Sequence, residues 1–289
     1  MTIINDAKLS GLIPPVVTPW HQNGEGGRGT FDKSAFDEHM NYFHANGVTG
    51  AFILGKTGGF QYLNLEERKE IADHAAANFS GRFQLVVGIT GRNLDETLEF
   101  SEHLNGNSGI AAVVVAPMIN FGAVKPLDYV TKVSQTSQLQ ILLYNNPEFT
   151  GQDIPFGCIR YLAEQETVSG IKDSSGNIDY LRELISLRSK NFSVFEGSER
   201  LIHEVMGQVD GWVAGSANHN SELMAYLWNN RNDFGKIGYS KKLTELGDCL
   251  SIYRQEGFMP ALHRLMAERK MPGANHVNGE LPQRELVQY

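Results

Sequence analysis

The chain has 289 residues, 41% of them hydrophobic and 20% charged, which is enough apolar material for a sizeable core and too much for disorder. Its formal net charge of −8 argues against a basic nucleic-acid footprint, and no apolar run approaches the roughly 20 residues that cross a bilayer. Cys158 and Cys249 stand far apart and outside metal-ligand spacing, and Met1–Ser10 has no apolar signal core, so a cytoplasmic globular protein without disulfides or zinc is expected.

In chain order, the first apolar run is Leu12–Thr18. The string Gly24-Glu25-Gly26-Gly27-Arg28-Gly29 that follows matches the dinucleotide fingerprint G-x-G-x-x-G. Trp20–Asn23 separates it from the strand and Thr30-Phe31-Asp32 delays the helix, so it reads as a flexible connecting loop. The second run, Val48–Leu54, ends in Gly55-Lys56-Thr57-Gly58-Gly59. Asn64 with Glu67 then predicts a capped helix carrying Ile71, Ala75 and Phe79 on one face. Phe83–Ile89 is next, with Asn93 and Glu96 repeating the capping device. Ile110–Ala116, Leu139–Tyr144 and Val168–Lys172 are apolar almost without a break, as strands buried on both faces of a parallel sheet are. After Ser174-Ser175-Gly176, a turn and helix start, Ile178, Leu181, Leu184 and Ile185 mark another helical stripe. Phe192–Phe195 and Gly211–Ala214 complete eight strands.

Eight strand-then-helix units without a linker-like break predict an α/β chain folded as one (β/α)8 TIM barrel, with a doubly wound open sheet as runner-up. Residues 1–220 supply the strands and most helices, and residues 221–289 the closing helix and a C-terminal helical extension. In that extension Leu243, Leu246 and Leu250, then Leu262, Leu265 and Met266, mark the apolar faces. The stretch from Pro272 through Asn275, Gly279 and Pro282 reads as irregular.

In such a barrel the active site gathers at the C-terminal ends of the strands. The polar residues there are the useful ones. Lys172 ends the sixth strand and Tyr144 the neighbouring fifth. Loss of hydration disfavours the charged form of a lysine, and only a neutral amine attacks a carbonyl. Adjacent strands lie roughly 4.8 Å apart, so the phenol can meet the amine and shuttle the protons that imine formation needs. The Lys56-Thr57-Gly58 turn offers a hydroxyl and backbone N–H groups to a carboxylate. No histidine pair has metal spacing; His203-Glu204 and Asn218-His219-Asn220 read as helix and loop. Ser174 has no nucleophile elbow around it.

Gly-Lys-Thr-Gly at 55–58, Tyr-Asn-Asn-Pro at 144–147 and Gly-Ile-Lys-Asp at 170–173, in that order on successive strands, resemble the dihydrodipicolinate synthase/N-acetylneuraminate lyase family. These are class I, Schiff-base-forming lyases of pyruvate and related 2-oxo acids. The resemblance runs from Leu12 to about Asn218 and also fits the helical tail. It implies that Lys172 forms the imine, that Tyr144 relays protons, and that Thr57 with the Gly58 backbone holds the substrate carboxylate. By the same resemblance Gly197, Glu199 and Ser216 contact the distal part of a sugar-derived substrate. No metal or organic cofactor is implied, the partners are pyruvate and an aldehyde, and the assembly is a homo-oligomer, a tetramer or dimer.

Departures from the synthase pattern narrow the reading. Lys56 replaces a hydroxyl and Gly59 an acid at the second-strand turn, Met118-Ile119 follows Pro117 where the synthases carry two tyrosines, and Phe149 replaces their carboxylate-binding arginine. Lys56 then stands as a substitute anion clamp, or as a second cation that disfavours a charged nucleophile. These departures argue against dihydrodipicolinate synthesis. The leading reading is an aldolase cleaving or forming a C–C bond in a 2-keto-3-deoxy sugar acid or sialic-acid-like substrate, with a dihydrodipicolinate synthase or a 2-oxo acid dehydratase of the same family as the alternative. Two rivals from other classes are a catalytically silent 2-oxo acid-binding protein and a nucleotide-dependent oxidoreductase using the glycine loop.

Overall fold

The structure, a computed structural model, describes residues 8–21, 29–117, 125–233 and 235–272. Among them, eight parallel strands form one sheet: β1 (Gly11–Leu12), β2 (Gly50–Ile53), β3 (Gln84–Gly88), β4 (Ala112–Val115), β5 (Gln140–Asn145), β6 (Val168–Asp173), β7 (Ser193–Glu196) and β8 (Gly211–Trp212). From β2 to β8 each strand pairs with the next in chain order, and β8 pairs with β1. A bridge between Pro15 and Phe52, with Val16 N–H donating to Phe52 O at 2.8 Å, brings β1 to β2 and closes the ring. The predicted barrel is thus observed, and the open-sheet alternative is not.

Helices follow the strands: α1 (Lys33–Ala45), α2 (Leu65–Phe79), α3 (Leu94–Leu104), α4 (Pro126–Thr136), α5 (Phe156–Leu162), α6 (Ile178–Ile185), the short α7 (Ile202–Val205) and α8 (Ala217–Asn229). Two more, α9 (Ile237–Glu256) and α10 (Phe258–Glu268), pack beyond the ring. Alternation along the strands separates two cores. Ile13, Phe52, Val86, Val114, Leu142, Tyr144, Phe195 and Val213 fill the barrel interior. Ile53, Leu85, Val113, Leu143 and Ile171 face the helices.

Several details differ from the sequence reading. The first strand is only two residues of ladder, because Pro14, Pro15 and Pro19 remove backbone donors. Trp20–His21 and Thr30–Phe31 pair antiparallel, flanking the glycine-rich string, of which Gly24–Arg28 lie outside the described residues. The Asn64–Glu67 capping box closes in both directions, each bond at 2.8 Å. Asn93 caps α3 in the same way, but Glu96 does not return the bond. Its carboxylate turns instead to Arg68 at 2.5 Å and Arg92 at 2.6 Å, since a buried guanidinium needs a charged partner more than a helix end needs a second cap. Asn218 and His219, expected in a loop, lie in the first turn of α8, which kinks at Asn220.

Asn218 also closes the barrel. Its Nδ2 donates to Pro15 O and Gly215 O, both at 2.9 Å, and its Oδ1 accepts from Val17 N–H at 3.3 Å. His39, fully buried on α1, lies 3.0 Å from the same oxygen. An amide oxygen only accepts, so His39 Nε2 carries the proton. Burial outweighs that bond and lowers the imidazole to about 4, which keeps it neutral.

Candidate active site

The fifth and sixth strands set the geometry. Tyr144 and Lys172 are register partners in the parallel pair β5–β6, so both side chains point into the barrel. Both are buried, Lys172 at 4% exposure and Tyr144 at 7%. Lys172 Nζ sits 3.9 Å from the Tyr144 ring centroid and 5.0 Å from that of Phe52. Gly197, at the end of β7, leaves the lysine its path. A Cβ there would come within 2.6 Å of Lys172 Cε and of Ser174 Oγ.

The phenol is tuned by its neighbours. Burial alone would raise Tyr144, but the Lys172 charge and hydrogen bonds from Asn146, Lys172 and Ser174 outweigh it and hold the phenol below its ordinary value. Asn146 Nδ2 donates to Tyr144 Oη at 2.7 Å, while its own buried Oδ1 has no partner among the described residues. Sequence reasoning quoted Asn146 only as part of a motif. Its position two residues beyond the tyrosine is the signal that places its amide on the phenol.

Behind the two strand ends lies a rigid polar layer. Asn145 donates to Asp173 Oδ1 at 2.7 Å and to Asp153 Oδ1 at 2.8 Å, and accepts from Ile154 N–H. Asp173 in turn accepts from the Ser175 hydroxyl at 2.8 Å. Burial raises Asp173 above the usual carboxylate range against the pull of those bonds. Glu196, the register neighbour of Asp173 on β7, accepts from Ser198 N–H at 2.8 Å, Ser198 Oγ at 2.5 Å and Glu199 N–H at 3.0 Å. Burial nevertheless pushes its carboxyl up to about 7. Glu196 was not anticipated, since a lone acid ending a strand reads like any solvated residue.

Glu199 and Ser216 meet each other: the Ser216 N–H donates to Glu199 Oε1 at 2.9 Å and the Ser216 hydroxyl to Oε2. Burial raises the Glu199 carboxyl, with the Ser216 bonds and then the Lys172 charge pulling it back.

The β2 turn forms the other side. Gly58 packs tightly on the segment that follows β1, where a Cβ would lie 2.8 Å from Val16 O and 3.1 Å from Thr18 Oγ1. Thr57 is half-buried beside it. Lys56 lines a narrow crevice with Gly55, Phe60, Thr90, Val114, Tyr144 and Phe149. Its ammonium stands 3.7 Å from Glu148, an 85% exposed side chain. Phe149 meets Phe60 edge to face at 5.7 Å. Met118 and Ile119 lie outside the described residues. The structure therefore brings Lys172, Tyr144 and Gly197 together, joins Glu199 to Ser216, and sets Lys56 on the crevice that Tyr144 also lines. Thr57 and Gly58 occupy the adjoining turn.

Among the described residues no group of three or more His, Cys, Asp or Glu side chains is arranged to hold a metal ion, and no helix is long and apolar enough to cross a membrane.

A profile of the Dihydrodipicolinate synthetase family matches residues 8–276. A protein of Escherichia coli K12 named as a probable 2-dehydro-3-deoxy-D-pentonate aldolase, YjhH, is 31% identical over 227 residues, 76% of this chain and 74% of that protein. Escherichia coli K12 YagE, a prophage protein of the dihydrodipicolinic acid synthase family solved in complex with pyruvate, superposes with a TM-score of 0.80 at 26% identity, covering 90% of this chain and 87% of YagE. The 2-keto 3-deoxygluconate aldolase of Picrophilus torridus shares the fold, with a TM-score of 0.80 at 23% identity over 90% of this chain and 93% of that one. With a profile match along nearly the whole chain, and with the barrel built as in these relatives, the chain belongs to the dihydrodipicolinate synthetase family.

Proposed function

We propose that the chain is a class I aldolase, a carbon–carbon lyase acting on a 2-keto-3-deoxy sugar acid and releasing pyruvate. The observation that carries this reading is the buried Lys172 amine lying 3.9 Å from the ring of a register-paired tyrosine whose phenol is held below its ordinary value. In the cleavage direction the neutral amine of Lys172 adds to the C2 carbonyl to give a carbinolamine. Tyr144 gives a proton to the departing hydroxyl, water leaves, and an iminium remains. Tyr144, now a phenolate, takes the proton of the C4 hydroxyl. The C3–C4 bond breaks, its electrons pass to the iminium as an enamine, and an aldehyde departs. Protonation at C3 and addition of water return pyruvate and the free amine. The Thr57 hydroxyl and Gly58 N–H hold the carboxylate, Gly197 gives room, and Glu199 with Ser216 faces the aldehyde fragment. A five-carbon substrate releases glycolaldehyde and a six-carbon one glyceraldehyde. Neither metal nor organic cofactor is needed for any step.

Phe149 supports an aldolase over a dihydrodipicolinate synthase, because an apolar ring packed edge to face on Phe60 stands where the synthase pattern has a cation. The assembly we assign is a cytoplasmic homo-oligomer, a tetramer or dimer, by family resemblance; native mass measures it. The test of the chemistry is intact-protein mass after pyruvate and borohydride. One reduced pyruvyl adduct is expected on the wild type and none on Lys172→Ala. An adduct that survives the substitution would move the nucleophile, with Lys56 the first suspect. No adduct on either protein would leave a binding protein without this chemistry.

A further inference from the structure

Glu199 is held in a way that a substrate contact alone does not explain. Its φ is +62°, a left-handed conformation uncommon outside glycine, and its side chain is buried at 5% exposure. Beyond Ser216 the hydrogen bonds continue out of the barrel. Ser216 Oγ lies 3.1 Å from Tyr253 Oη, and Tyr253 Oη lies 2.7 Å from His219 Nε2. Tyr253 belongs to α9, in the C-terminal extension. Phe258 of α10 packs edge to face on it at 5.1 Å and sits so close to Gly215 that a Cβ there would come within 2.4 Å of the ring.

Counting protons gives this chain one direction. A serine hydroxyl has a single proton, and when Glu199 is ionised its carboxylate takes it. Tyr253 must then donate to Ser216 Oγ, which uses the one proton of the phenol. His219 therefore donates its Nε2–H to Tyr253 Oη, and its Nδ1, buried without a partner among the described residues, carries no proton. Burial keeps both groups in these states, lowering His219 to about 4 and raising the Tyr253 phenol. The Gly215 and Ser216 N–H groups also donate to the Glu199 carboxylate, which fixes its plane at the β8 rim.

We propose that Tyr253 is a positioning residue for the carbon–carbon bond step: the C-terminal extension reaches over the β8 rim and, through Ser216, fixes the Glu199 carboxylate against the aldehyde fragment. This rests on the aldolase reading above and adds to it a residue, outside the barrel, on which the second substrate depends.

The test is the condensation of pyruvate with D-glyceraldehyde by the wild type, Tyr253→Phe, Ser216→Ala and the double variant. Tyr253→Phe keeps the ring against Phe258 and removes only the donor. The borohydride-trapped pyruvate adduct is expected to form at the wild-type rate, while KM for D-glyceraldehyde rises roughly fivefold to tenfold. The double variant is expected to be no worse than Ser216→Ala, because both cut the same chain. Should Tyr253→Phe fold poorly, His219→Gln retains an N–H donor and His219→Leu does not, so only the second should raise KM. Unchanged KM in Tyr253→Phe, or loss of the pyruvate adduct along with it, overturns the proposal. A wild type that takes no pyruvate at all removes the aldolase reading first and this one with it, whereas an active wild type with insensitive variants removes this one alone.

Discussion

The two sides of the barrel mouth are built on different terms. On the β5–β6–β7 side the functional side chains stand on strands, and nearly every polar atom behind them is engaged: Asn145 ties Asp173 to Asp153, and Ser198 with the Glu199 N–H satisfies Glu196. On the β2–β4 side the crevice wall is mostly aromatic and aliphatic, and Lys56 reaches Glu148 across 3.7 Å near the surface. The first side is fixed within the ladder and suits a covalent step that tolerates little displacement. The second takes Lys56, Phe60, Thr90 and Phe149 from segments beyond the strand ends, whose identity can change without disturbing the ladder. On the proposed mechanism the imine chemistry belongs to the strands, and the choice of substrate to the residues around them.

The sharpest way to break this contrast is Tyr144→Phe. The aromatic ring remains beside Lys172 and against Phe52, which it meets edge to face at 6.2 Å, so packing is preserved and only the proton carrier is removed. Turnover should fall roughly 10²- to 10⁴-fold, the range for loss of a general acid–base, while the pyruvate adduct still forms, more slowly. Full turnover in this variant, measured in the cleavage direction, would mean that the phenol is only a packing group.

The second effect is a pH dependence of stability, also confined to the strand-borne side. Glu196 rises from 4.5 in the unfolded chain to about 7 in the fold. The native state thus holds a proton that the unfolded state has lost between those values. Its contribution is complete below pH 4.5 and is lost as pH rises through 7, about 3 kcal/mol at 1.36 kcal/mol per unit. His39 and His219, both lowered to about 4, tilt the other way. Their unfolded forms bind protons below pH 6.5, so their contribution falls as pH drops towards 4. His263, also lowered to about 4, adds to the histidine slope, so in the wild type the single carboxyl offsets only part of it between pH 4.5 and 6.5. Glu196→Gln should unmask the histidines, so that denaturant midpoints fall more steeply between pH 7 and pH 5 than in the wild type. Parallel profiles for the two proteins would show that Glu196 stays ionised.

How much of this was readable beforehand follows the same division. Continuous apolar runs located the strands to within a residue or two where both faces are buried, as at Val168–Asp173, expected to end at Lys172. The reading overran where proline cuts the ladder, at Leu12–Thr18. Lys172 and Tyr144 were legible because a strand's end fixes where its side chain points. Glu196 and Tyr253 were not, since what matters in each is a partner brought close by the fold: Ser198 through a tight turn, and Ser216 from 37 residues away. The Phe60–Phe149 wall escaped notice for the same reason. Each phenylalanine alone reads as ordinary core, and only their juxtaposition makes an apolar side to the crevice.

The smallest effect tests the loop-borne side on its own terms. Lys56 is 38% exposed in its side chain and its ion pair with Glu148 is long, so the pair should add under about 1 kcal/mol to stability. If Glu148 holds the ammonium only until a carboxylate arrives, the two partners should respond in opposite directions. Lys56→Met should raise KM for pyruvate roughly tenfold, equivalent to about 1.4 kcal/mol, and Glu148→Gln should lower it slightly by freeing the cation. Melting temperatures of both variants should stay close to the wild type. A KM that stays put in Lys56→Met makes this lysine a solvated rim residue. The carboxylate would then be left to Thr57 and the Gly58 backbone, and the crevice would select the rest of the substrate by shape and apolar contact rather than by charge.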